Sequence, residues 1–217
     1  EAIKERAQIK LIVVTSNRLE DYKNLLAQTD VQVLVVSQDV FHKLSMTETT
    51  QGILAVVEIV KQEILPNKGR FIVLDAVQDP GNLGTIVRTA DAAGFDAVVI
   101  GTGTVDLYND KVLRSMQGSH FHIPVFQANL QEYLPILKEK GVQVAVTALH
   151  RDSKDYSVLQ GATDVAIVVG NEGQGVSEDV IDLADVVVTI PMFGKAESLN
   201  VAIASALLMY KTKETKE

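Results

Sequence analysis

Apolar residues in this chain fall mainly in short unbroken runs. They occur at "KLIVV" (10–14), "VQVLVV" (31–36), "GILAVVEIV" (52–60), "FIVLD" (71–75), "DAVVIG" (96–101), "VQVAVTAL" (142–149), "VAIVVG" (165–170) and "DVVVTIP" (185–191). Valine- and isoleucine-rich runs of this length predict strands buried on both faces. Helix-patterned stretches lie between them: "NLGTIVRTADAAG" closed by Gly94, "NLQEYLPILKEKG" closed by Gly141, and "SEDVIDLA" with Ser177 placed as its N-cap. Strands alternating with helices predict an α/β fold on a parallel sheet covered on both sides. Polar "KQEILPNKGR" (61–70), with Pro66 and Gly69, divides a smaller α/β part, residues 1–62, from a larger one, residues 63–217. The smaller part opens on what reads as a helix already in progress, which implies a truncated start. The charged tail "KTKETKE" is expected to fray.

Parallel sheets bind ligands beyond the carboxyl ends of their strands, so the loops there are where chemistry is expected. "AVQDPGNLGTIVRTA" follows "FIVLD", "GNEGQGVSED" follows "VAIVV", and "MFGKAESLNVAIASALLMY" follows "VVVTIP". A nucleotide-phosphate loop is poorly supported: "GTGTVD" (101–106) lacks the third glycine of a dinucleotide fingerprint, and no GxxxxGK[ST] occurs.

Composition narrows the classes. With 217 residues and 47% hydrophobic content the chain can bury a sizeable core. No apolar run approaches the roughly 20 residues of a membrane span, and "EAIKERAQIK" lacks the apolar centre of a signal peptide. The absence of cysteine excludes disulfides, thiolate zinc sites and cysteine nucleophiles, and a cytoplasmic address is the simplest reading. A net charge of -8 argues against a general nucleic-acid binder, so contact with nucleic acid has to be local. Lys4, Arg6, Lys10, Lys68, Arg70, Lys111, Arg114 and Lys195 are the cations that could form such a patch.

Taken together, the three loops resemble the motifs of the SpoU (TrmH-like) family of RNA ribose 2′-O-methyltransferases, within the SPOUT superfamily, over residues 70–211. Asn82, Gly84 and "RTA" from Arg88 resemble the first motif. Gly170, Asn171, Glu172, Gly173 and Gly175 resemble the second, and "IPM" (190–192) with "ESLNVA" (197–202) the third. "KVLRSMQGSHFHIP" (111–124) resembles the segment linking them, except that Met116 stands where the family has serine. The first 62 residues are similar to the small α/β RNA-binding domain of many such enzymes, with "SMTETTQGILAVVE" at the join.

The resemblance implies a C-terminal trefoil knot, a structured and most simply ribosomal RNA as substrate, and S-adenosylmethionine bound against the knotted loops; a homodimer with Arg88 and the motif loops near the partner is expected from the apolar, small-residue C-terminal helix and the small neighbours of Arg88. The cofactor would lie against Leu149, Gly170, Asn171, Gly173, Gly175, Ile190, Met192 and Leu199. Glycines there remove the Cβ that would keep backbone from a ligand, although a plain turn or core packing explains the same residues. "SLNVAIASALLMY" is apolar or small on nearly every side, which predicts a buried helix; Ala202, Ala204, Ser205 and Ala206 would permit close approach in threading or dimer packing.

Methyl transfer to a 2′-hydroxyl needs a group that makes the hydroxyl a nucleophile and one that aligns it. The resemblance assigns the first role to Arg88. Arginine is permanently protonated, so its credible task is to hold an RNA phosphate and lower the hydroxyl pKa, with the proton passing to arginine or phosphate. On a helix over 83–93, Leu83, Ile86, Val87, Ala90 and Ala93 share one face and Arg88 projects from the other beside small Thr85 and Ala92. Asn82 is either this helix's N-cap or an orienting amide. Glu172 is either a solvated carboxylate or a support for Arg88 or a partner's loop. Ser198 and Asn200 either cap the last helix or bind substrate and cofactor. His120 and His122 alternate on an expected strand, His42 is isolated and His150 ends a strand, so no metal site is expected. Two alternatives stand beside the enzyme: a catalytically silent RNA-binding or assembly protein, and a Rossmann-type nucleotide-binding enzyme.

Overall fold

The computed structural model describes residues 1–45, 47, 49–59, 66–149 and 152–215. The boundary expected at 62–63, two positions of the join (46 and 48), His150 and the last two tail residues lie outside the described residues. Chain contacts divide the molecule into two units, 1–61 and 62–217.

In the first unit β1 (Ile9–Thr15) is flanked by β2 (Val33–Val36) and β3 (Ile53–Val57), with α1 (Leu19–Leu26) and α2 (Gln38–Leu44) between the strands in sequence. β1 and β2 are parallel, but β3 runs antiparallel to β1. That corrects the all-parallel expectation, because a continuous apolar run carries no information about strand direction. Only β1 is covered on both faces; Leu34, Val35 and Val56 are exposed because they lie on edge strands.

The second unit is built on a parallel seven-stranded sheet in the order β6-β5-β4-β9-β7-β10-β8. Its strands are β4 (Arg70–Asp75), β5 (Ala97–Ile100), β6 (Val125–Gln127), β7 (Gln143–Thr147), β8 (Lys154–Asp155), β9 (Val165–Gly170) and β10 (Val186–Thr189). β4 and β9 are central, and alternation splits their side chains between two cores. Ile72, Leu74, Ile167 and Val169 face α3 (Pro80–Ala92), α4 (Asp110–Met116) and α7 (Val201–Lys211); Phe71, Val73, Ala166 and Val168 face α5 (Leu130–Glu139) and α6 (Glu178–Ile181). This strand order departs from the 3-2-1-4-5-6 order of a dinucleotide-binding sheet, which removes the Rossmann reading.

Several local expectations change. α3 is capped by Asp79, whose carboxylate accepts from the Asn82 backbone N–H, so Asn82 sits within the first turn and is not the cap. His120 and His122 belong to a 3-10 turn and its exit, not a strand: Gln117 and Gly118 both have positive φ, tighten the chain after α4 and delay the strand to Val125. There His122 Nδ1 lies 2.9 Å from Asp91 Oδ2. Met116 is fully buried in the core against α3, so it packs where a serine would hydrogen-bond. α7 is buried on one side only, through Ala202, Ser205, Leu208 and Met209; Ile203, Leu207 and Tyr210 remain exposed because nothing in the described chain covers that side.

α3 and α4 pack closely at Gly84. A Cβ there would stand 2.4 Å from Ser115 Cβ and 2.8 Å from the Val112 carbonyl oxygen. Alanine gains about 1 kcal/mol of helix propensity over glycine, whereas forcing two packed helices apart costs about 1–3 kcal/mol. Gly84→Ala is therefore expected to lower stability, read as an earlier denaturant midpoint with an unchanged slope.

Candidate functional site

The loops after β4, β9 and β10 are tied together by side chains that reach between them. Glu172, in the loop after β9, accepts from the Gln78 and Asp79 backbone N–H groups at 3.1 and 3.0 Å and from Asn82 Nδ2 at 2.9 Å. Asn82 Oδ1 in turn accepts from Asn200 Nδ2 at 2.9 Å, while Asn200 Oδ1 caps α7 by accepting from Ala202 N–H and Ile203 N–H. Glu172, Asn82 and Asn200 thus form one relay from the start of α3 to the start of α7. A second set of bonds fixes the same loops from below: Asn171 Nδ2 donates to the Ala76 carbonyl and Ser177 donates through N–H and Oγ to Asp75. Ala76 is held at φ 56, a conformation costly for a residue with a Cβ.

These loops rim a cleft of about 580 Å³ at the carboxyl ends of β7, β9 and β10. Leu149, Gly170, Asn171, Gly173, Gly175, Ile190, Met192 and Leu199 all line it, and so do Glu172, Ser198 and Asn200. Asn82 does not line the cleft but bonds to two residues that do. Arg88 lies outside it: exposed on α3, its side chain makes no hydrogen bond or ion pair to a described residue, and Glu172 is engaged elsewhere. Thr147, Gln174 and Glu178 also line the cleft without having been assigned a role from sequence, as do Glu197 and Val201, which stood there only as members of the third motif. Their signal was positional, since Thr147 ends β7 and the others lie on the segments that follow β9 and β10.

The glycines act differently from the expectation. A Cβ on Gly170 would stand 2.2 Å from Gly175 C and Val176 N, so its absence lets the loop fold back over its own strand. Gly175 supplies the positive φ of 75° that closes the reciprocal backbone pair with Asn171. Asn171 spends its side chain inside the loop, its Oδ1 accepting from Gly173 and Gln174 N–H. It therefore offers the cleft mainly backbone.

The cleft's position and relay can be compared with known proteins. The SpoU rRNA Methylase family matches residues 69–210, and an MRM3-like substrate binding domain matches residues 1–55. The Bacillus subtilis 23S rRNA (guanosine(2553)-2′-O)-methyltransferase RlmP is 48% identical over 183 residues, 84% of this chain and 73% of that protein. The chain belongs to the SpoU rRNA methylase family. An AdoMet-bound rRNA methyltransferase from Sinorhizobium meliloti superposes with a TM-score of 0.84 at 31% identity over 98% of this chain and 82% of that one. The SpoU methyltransferase AviRb from Streptomyces viridochromogenes, solved with AdoMet, shares the fold at a TM-score of 0.84 and 24% identity over 97% of this chain and 84% of that one.

Burial alone would raise the Glu172 pKa, but the Asn82 amide and the Gln78 and Asp79 N–H groups outweigh it and hold the carboxyl below its usual 4.5. A depressed folded value means that ionised Glu172 stabilises the site fully above the usual value and loses that contribution as pH falls through the folded one. Denaturant unfolding is expected to show wild type losing stability more steeply than Glu172→Gln once pH drops below 4.5.

Proposed function

We propose that this chain transfers a methyl group from S-adenosylmethionine to a ribose 2′-hydroxyl in ribosomal RNA. The observation that carries this is the convergence of all three motif loops on one cleft, held by the Glu172–Asn82–Asn200 relay. The relatives that act on rRNA, or were solved with AdoMet, support the reading.

The cleft suits the cofactor chemically. Leu149, Ile190, Met192 and Leu199 offer apolar walls for a purine, backbone groups at Gly170–Gly175 offer partners for ribose and amino acid, and Glu172, Glu178 and Glu197 favour a sulfonium cation. When bound, the cofactor supplies an electrophilic methyl. The protein's task is then to hold the ribose in line with it and to make the hydroxyl nucleophilic. We assign the second task to Arg88, whose planar fork holds an RNA phosphate and lowers the hydroxyl pKa. Asn82, Glu172, Ser198 and Asn200 hold the surrounding loops and the ribose in register. Residues 1–62 bind the RNA, supported by the substrate-binding match. The reading places the enzyme in the cytoplasm, where ribosomal RNA is modified.

A homodimer completes the site. Two features support it: Arg88 lies outside its own chain's cleft, and α7 exposes Ile203, Leu207 and Tyr210 at helical spacing. The strand order supports the trefoil knot, because β9 lies between β4 and β7 although β7 comes first in the chain. A silent assembly protein is disfavoured by the complete polar relay, which RNA binding alone does not require.

Arg88→Ala is expected to slow methylation of rRNA by about 10²–10⁴-fold with S-adenosylmethionine affinity unchanged, and to shift stability by no more than about 0.5 kcal/mol. Arg88→Lys should restore activity in part. Unimpaired methylation by Arg88→Ala sinks the assignment. Light scattering at micromolar concentration should give twice the chain mass, and Leu207→Asp should give single chains that bind RNA but do not methylate it.

A further inference from the structure

We propose that Phe193 is a stacking platform for a base of the RNA substrate and that Lys195 holds an adjacent phosphate. The inference rests on the ribose-methylation reading and adds the residues that grip the target strand at the cleft mouth. Phe193 is 96% exposed, while Phe41, Phe71, Phe95 and Phe126 are each 6% exposed or less. A ring so fully in water forgoes the burial that places phenylalanine in cores, and nothing in its own chain accounts for it.

Its location gives it a use. Met192 and Glu197 both line the cleft, so the four residues between them leave the wall and return to it, forming its rim. A Cβ on Gly194 would meet nothing within 4 Å, so the rim is open on that side. Lys195 is exposed and pairs with no acidic group among the described residues. By contrast Lys4, Lys10, Lys111 and Arg114 are engaged by Glu1, Glu58, Asp79 and Asp110, and Arg70 donates to the Ala162 carbonyl. In a chain of net charge -8, an unengaged cation beside a bare aromatic ring at the cleft mouth is a local match for a nucleotide.

The reaction demands such a grip. Presenting one 2′-hydroxyl in line with a bound methyl donor requires the target strand to be held still at the cleft mouth, and an unstacked base of a loop or bulge is held there by stacking on an aromatic ring. A second copy of the chain is the competing occupant. It is disfavoured because Phe193 lies on a loop with lysine, a residue depleted from interface cores, whereas Ile203, Leu207 and Tyr210 form a separate stripe on α7.

The test uses the whole chain, saturating S-adenosylmethionine and unmodified 23S rRNA transcribed in vitro. Phe193→Ala should raise KM for the rRNA about tenfold, the scale of one lost base stack, with kcat and S-adenosylmethionine affinity little changed. Phe193→Trp should restore KM and Phe193→Leu should not. Lys195→Gln should make binding less salt-dependent by about one phosphate contact. An unchanged KM in Phe193→Ala, equal rescue by leucine, a change in oligomeric mass by light scattering, or lost cofactor affinity would each overturn the proposal. If wild type bound the cofactor yet left the rRNA unmethylated, the methylation reading itself would fall, and this inference with it.

Discussion

The Glu172 carboxylate accepts three hydrogen bonds from the start of α3, and Asn82 passes that restraint to Asn200 at the start of α7. Without this relay the loops after β4 and β9 would keep only the Asn171–Ala76 and Ser177–Asp75 bonds, and the start of α7 would lose its side-chain tie to them. A parallel sheet brings strand termini together but leaves the segments beyond them to find their own positions. A carboxylate that gathers backbone N–H groups forms charge-assisted bonds, stronger than neutral ones, and so sets the height of the loop after β9 over the loop after β4. The Asn82 amide acts both as donor and acceptor, which is why neither aspartate nor leucine could take its place. Cleft shape, α7 capping and the base of the helix carrying Arg88 all follow from that chain of contacts.

Much of the fold was legible because buried parallel strands leave an unmistakable record of valine and isoleucine. β4, β5, β7, β9 and β10 fall where the runs lie. β6 and β8 were missed: they are edge strands of three and two residues, and β8 is polar and exposed. At the site, glycines and amides at strand ends marked the cleft walls, but not the reason for each. Gly170 makes room for its own loop, and the pairing of Glu172 with Asn82 and of Asn82 with Asn200 spans 90 and 118 residues, beyond any local spacing rule.

α7 shows how composition and burial can diverge. Its apolar circumference pointed to burial on every side, yet one chain covers only one face. The uncovered face of α7 and an arginine outside its own chain's cleft are the two observations on which the proposed homodimer rests.

The span of the Asn82–Asn200 bond also bears on how the protein comes into being. Because Asn200 caps α7 while holding Asn82, the helix and the site mature in the same event. During synthesis the β4–α3 region leaves the ribosome long before its counterpart, and chain closure over such a distance is slow compared with local folding. A nascent chain halted before α7 would therefore carry the sheet and the Glu172–Asn82 tie but not the wall that Asn200 closes, so the cleft is completed last.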